Sequence, residues 1–157
     1  MAIPTWIKVE RAKDYYTHNI GTFGLDRDAG QFMGFVVATL PDGPLSKDWK
    51  KHKRWYAVLH LFDQEGNYLE TRHKFVGTTA DGEDTVLPSA KETLAGMLRL
   101  LKNKSNQDVR IKLFKTEIDG CTFGLVDSSD LATETETVTL LPNDFVFYPP
   151  WDGSYDT

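Results

Sequence analysis

The stretch Gln31-Phe-Met-Gly-Phe-Val-Val-Ala-Thr-Leu40 decides the fold class. It is rich in β-branched and aromatic residues and stops at the turn cluster Pro41-Asp-Gly-Pro44, so it reads as a strand. At a period of two, Phe32, Val36, Ala38 and Leu40 fall on one face, and Met33, Phe35 and Val37 on the other. A strand apolar on both faces belongs inside a sheet that is covered, at least in part, on both sides.

Working outward, Arg54-Trp-Tyr-Ala-Val-Leu-His-Leu-Phe62 has the same character. Asp63-Gln-Glu-Gly66 then supplies a short loop before Asn67-Tyr-Leu-Glu-Thr-Arg-His-Lys-Phe-Val76, so the pair predicts a hairpin. His60 and His73 lie on its two arms, and each reads as a polar residue on a half-exposed strand. One helix is signalled: Pro88 precedes Ser89, and Glu92 three residues on completes a capping box. Leu94, Met97, Leu98 and Leu101 then share one face, and Lys102, Asn103 and Lys104 close the helix with charges suited to its C-terminal dipole. A second hairpin is expected from Val109-Arg-Ile-Lys-Leu-Phe-Lys-Thr116, the bend Ile118-Asp-Gly120 and Cys121-Thr-Phe-Gly-Leu-Val126, followed by strand pieces over 135–141 and 145–148. The expectation is an α+β fold, a mostly antiparallel β-sheet packed against one main α-helix at about residues 89–102. It forms one domain over residues 1–157, with an irregular acidic tail at about 149–157.

The chain has 157 residues, 40% hydrophobic and 26% charged, enough to bury one core without staples. No apolar run reaches the ~18 residues of a membrane span, the first residues lack a secretory pattern, and the single cysteine, Cys121, cannot form an internal disulfide. A cytoplasmic location is the expectation. Net charge is -5, and its distribution is uneven: residues 127–157 hold seven acids and no Lys or Arg, which leaves 18 bases against 16 acids before them. An acidic balance disfavours nucleic acid as a partner, and an acidic segment raises the local concentration of cationic ones.

Catalytic and metal-binding constellations are thin. His18, His52, His60 and His73 show no paired ligand spacing, no Cys-x-x-Cys exists, and no phosphate-loop, dinucleotide or Gly-x-Ser-x-Gly pattern occurs. Cys121 reads as a small strand residue. Asp81-Gly-Glu-Asp84 lacks the alternate ligands of a calcium loop and reads as a solvated loop leading to the helix. Lys47-Asp-Trp-Lys-Lys-His-Lys-Arg54 is a basic cluster with Trp49 and Trp55 close by; that interleaving suits stacked bases, but a flexible loop carrying a solvated charge run is the favoured reading.

Gly30-Gln-Phe-Met-Gly34, the run from Lys53 to Gly66, Asp81-Gly-Glu-Asp84, the run from Ile118 to Val126, and Pro150-Trp-Asp-Gly-Ser-Tyr-Asp-Thr157 together resemble small bacterial proteins labelled formate hydrogenlyase regulatory protein, the HycA-like family. The closing Trp-Asp-Gly-x-Tyr-Asp-Thr is the most specific piece. The resemblance implies a cytoplasmic bacterial protein named for transcriptional repression of hydrogenase operons. With one helix visible and an acidic balance, such a regulator would act through protein contacts.

From the residues themselves, the leading expectation is a non-enzymatic binding protein of the immunity kind, which covers a basic site on a partner such as a toxin. No catalytic residue, metal or cofactor is assigned. The partner-binding residues are expected in the acidic C-terminal fifth: Trp151 and Tyr155 as anchors, Asp152 and Asp156 meeting cations, and Glu134 and Glu136 with them.

Overall fold

The computed structural model describes residues 6–7, 22–26, 30–40, 46–101, 105, 109–142 and 145–148. It has an α+β architecture with two four-stranded antiparallel sheets and one main helix. The first sheet has the order β2 (Thr22–Asp26), β3 (Gly30–Thr39), β4 (Arg54–Phe62), β5 (Tyr68–Thr78). The second runs β10 (Phe145–Phe147), β9 (Val138–Leu141), β8 (Cys121–Asp127), β7 (Phe114–Ile118). A short pair, β1 (Trp6–Ile7) with β6 (Val109–Arg110), stands apart from both.

The two-faced apolar strand lies where its pattern demands. β3 sits inside the first sheet between β2 and β4, with Phe35 opposite Val58 and Met33 opposite His60. Met33, Phe35 and Val37 join Tyr56, Val58 and Phe62 in a core whose other wall is Phe114, Ile118, Phe123, Leu125, Val138, Leu140 and Phe147 of the second sheet. On the opposite face, Phe32, Ala57, Leu59 and Leu61 pack against Leu94, Met97, Leu98 and Leu101. Each fully buried Phe or Leu in these layers contributes about 1.5–3 kcal/mol relative to exposure. Gly34 admits the helix: a Cβ there would sit 3.1 Å from Leu94 Cδ1 and 3.6 Å from Leu98 Cδ2.

The helix, α2, runs over Glu83–Arg99, starting six residues before the position expected from Ser89. Ser89 is therefore no cap; its carbonyl accepts a hydrogen bond from Thr93 Oγ1. Pro88 lies inside the helix, so the Asp84 carbonyl loses the amide donor that would have reached it and faces the proline ring instead. The early start is held by packing: Val86 is buried, and its Cγ2 lies 3.1 Å from where a Cβ on Gly77 would be. The capping box that does form sits upstream, where Thr78 and Asp81 exchange bonds around the 3-10 turn Thr79–Asp81. Asp81-Gly-Glu-Asp84 is thus partly this turn and partly the first turn of α2, rather than a loop. The basic cluster likewise is not a loop: Trp49–His52 form a helical turn, α1, and Arg54 opens β4. The run expected as one strand from Val109 divides into β6 and β7, and β9 begins at Val138 because 131–134 form a turn. The tail 149–157 lies outside the described residues.

Candidate functional site

Of the expected partner-binding residues, Glu134 and Glu136 lie together in the connection from β8 to β9, whereas Trp151, Asp152, Tyr155 and Asp156 lie outside the described residues. The connection is built by short polar side chains that close on their own backbone. Asp127 Oδ1 accepts from the Ser129 amide at 2.9 Å, and Asp130 Oδ1 accepts from the Ala132 amide at 2.9 Å. Asp130 and Thr135 exchange backbone bonds of 2.8 and 3.1 Å. The Ser128 hydroxyl lies 2.8 Å from Thr137 Oγ1 and 2.7 Å from Thr139 Oγ1, which ties the base of the loop to β9. Glu134 completes the turn with φ +56°.

This loop presents Leu131, 93% exposed at its tip, with Asp127, Asp130, Glu134 and Glu136 around it. The same residues, with Ser129 and Thr135, line a shallow hollow of about 560 Å³. The hydrogen bonds from Ser129 hold the Asp127 carboxyl below its ordinary value. No Lys or Arg occurs in this loop. The arrangement is an acidic ring around a leucine, fixed in advance by its own turns.

At the other end of β8, roughly 20 Å away by strand rise, a polar cleft opens that the sequence did not single out. Thr39, Leu40, His52, Arg54, Asp119, Gly120, Cys121, Thr122, Leu141 and Pro142 line about 700 Å³. Its floor is a clasp between the sheets. Arg54 Nε donates to the Tyr56 hydroxyl at 2.8 Å, and that hydroxyl donates to Asp119 Oδ2 at 2.7 Å. The Arg54 guanidinium lies 4.0 Å from the centroid of the Phe75 ring, and its Nη2 is 3.6 Å from Asp119. Burial, opposed by the Arg54 hydrogen bond, pushes the Tyr56 phenol above its ordinary value, which keeps the proton it gives to Asp119. Only the Asp-Gly bend of this clasp was visible as a motif; no local pattern pairs residues 54, 56 and 119.

The Trp rings of the basic cluster are covered by its own lysines: Lys50 and Lys53 lie 5.9 and 5.8 Å from Trp49, and Lys53 lies 5.8 Å from Trp55. Trp55 Nε1 donates to Thr79 Oγ1. Lysine heads over those faces compete with any base that would stack there.

His60 departs furthest from expectation. It is fully buried between the sheets rather than half-exposed, and it faces Thr71, not His73. Cys121 opens β8 as a free, half-buried thiol. Among the described residues, no three His, Cys, Asp or Glu side chains converge as a metal ion would require, and no helix is long and apolar enough to cross a membrane. No family model matches the chain, and no curated protein or solved structure is significantly similar to it.

Proposed function

We propose that this is a non-enzymatic, cytoplasmic binding protein of the immunity kind, which neutralises a basic partner such as a toxin. The observation that carries the reading is the β8–β9 loop, where four acids without a base surround an exposed Leu131 on a turn already closed by hydrogen bonds. Such a loop combines a steering field with one apolar anchor, and little ordering cost remains at the moment of binding. The expected complement is an apolar socket ringed by Lys and Arg. Trp151, Asp152, Tyr155 and Asp156 extend the same acidic segment in sequence and belong to this proposal as further contacts.

The resemblance to formate hydrogenlyase regulatory proteins favours a second reading, regulation of hydrogenase genes through contact with a protein activator. Affinity purification of the tagged full chain from its native host, with mass spectrometry, separates the two. A basic toxin released by moderate salt supports neutralisation, and a transcriptional activator supports regulation. Tight, salt-sensitive binding of the purified chain to duplex DNA would contradict both.

A further inference from the structure

The edge of the first sheet offers a second surface, opposite in charge to the acidic loop. β5 pairs only with β4, and among the described residues no other backbone hydrogen bond reaches it from Leu69 to Gly77. Beside this edge, between β5 and α2, lies a groove of about 430 Å³ lined by Arg72, His73 and Lys74 from the strand and Thr93, Gly96, Met97 and Leu100 from the helix. Gly96 and Met97 lie three and four residues after Thr93, and Leu100 lies four and three after them, so the helix residues form one face. Arg72 and Lys74 stand opposite Leu59 and Ala57, which puts their side chains on the helix side of the sheet. The ring of His73 lies on the other side, 6.4 Å from the Tyr56 ring, so its contribution to the groove is main chain.

Gly96 is the informative residue. Glycine is a poor helix former, and a Cβ here would meet nothing closer than Arg99 Nη2 at 3.5 Å, an ordinary contact. Packing among the described residues therefore gives no reason for glycine, and its absent side chain keeps the groove open. The groove's charge indicates what it would accept. Arg72 is paired with Glu70 at 3.0 Å, but Lys74 and Arg99 have no ion pair among the described residues. The cations stand two residues apart along an edge whose partner strand would also repeat every two residues.

We propose that the groove between β5 and α2 receives an extended acidic segment of a partner protein as an added strand on the β5 edge. Main-chain bonds to β5 supply the pairing, acids at alternate positions meet Arg72 and Lys74, and an apolar side chain between strand and helix rests on Gly96, Met97 and Leu100. The charges on the edge guard it against like edges while leaving it open to an acidic one.

Fluorescence anisotropy of the full chain with three labelled decapeptides tests this: in each, Glu at two alternate positions is followed at the next alternate position by Val, Leu or Phe, so that acids and apolar side chain share one face, and Thr fills the other positions. At least one peptide is expected to saturate below about 1 mM. Gly96→Leu should weaken that binding about tenfold or more without lowering the melting temperature, and Lys74→Glu should weaken it comparably. Proline at two alternate peptide positions should abolish it, because proline cannot donate to the ladder. Absence of saturable binding by all three peptides, binding indifferent to both protein variants, or equal binding of the proline peptide would each overturn the proposal. A concentration-dependent dimer in light scattering that Gly96→Leu dissociates would assign the edge to a second copy of this chain instead.

Discussion

His60 and Thr71 face each other across the β4–β5 hairpin, with Nδ1 2.7 Å from Oγ1, while the other ring nitrogen of His60 has no hydrogen-bond partner among the described residues. The imidazole is walled by Phe35 at 5.4 Å and Phe114 at 4.8 Å. Burial lowers its pKa from 6.5 to about 3. Above pH 6.5 both folded and unfolded forms are neutral and the group has no effect. Below it, only the unfolded chain takes up the proton, so stability falls by about 1.4 kcal/mol per pH unit until about pH 3, roughly 4–5 kcal/mol in all. Asp63 and Asp127, whose pKa values are lowered mainly by hydrogen bonds, lose their stabilisation only as pH falls through the region below 4. Urea titrations between pH 7 and 4.5 should therefore show a steep decline for the native chain and a flatter one for His60→Phe, with similar stability at pH 7. Parallel slopes in the two proteins would show that His60 titrates normally.

Removing the hydroxyl at the centre of the clasp should loosen the tip of the β7–β8 hairpin. Tyr56 is 1% exposed, and its hydroxyl joins Arg54 to Asp119. Tyr56→Phe should cost about 1–2 kcal/mol, since both partners can turn to water. Amide exchange should speed up most at Asp119, Gly120 and Cys121, and uniform exchange across the molecule would argue against a local clasp.

Two glycines should respond in opposite directions. A Cβ on Gly124 would overlap the Phe114 carbonyl oxygen at a φ of +149°, so Gly124→Ala is expected to destabilise by about 3 kcal/mol or more. Gly96→Ala fits its helix and should stabilise by about 0.5–1 kcal/mol. Chemical denaturation of both variants checks the contrast.

Truncating the helix stripe tests the second core. Leu98 is partly buried against the cluster that contains Phe32, Leu59 and Leu61, so Leu98→Ala should cost about 2–3 kcal/mol at an unchanged urea slope. A loss below about 0.5 kcal/mol would mean that the helix is peripheral to the first sheet.

The layers were legible where one residue's pattern reported its own surroundings. Met33, Phe35 and Val37 opposite Phe32 required cover on both faces, and two layers supply it. Asp119-Gly120 marked a tight hairpin, and both residues adopt positive φ. What failed depended on distant partners. Ser89 and Glu92 carry a sound capping signal, but Val86 seated at Gly77 draws the helix start upstream. Separation into two sheets follows from which strands share hydrogen bonds, and single-strand composition does not encode that. Gln31, the polar residue that opens the strand run, is buried, and its side chain bonds the Arg110 amide and the Asp63 and Arg110 carbonyls, residues 32 and 79 positions away, which no local pattern announces. His60 was misread for the same reason, since Phe114 and Phe123, which help to bury it, come from the second sheet. At the candidate site, the acidic excess was readable from composition, whereas the exposure of Leu131 depends on the turns that Asp127 and Asp130 close.

The most direct measurement compares the native chain with a variant carrying Asp127→Asn, Asp130→Asn, Glu134→Gln and Leu131→Ala in affinity purification from the native host. The amides keep the oxygen acceptors of the loop turns, so the fold should persist while charge and anchor are lost. A basic partner retained by the native chain, absent with the variant, and captured more slowly as salt is raised is the predicted result. The same partner held equally by both proteins would contradict the assignment of binding to this loop.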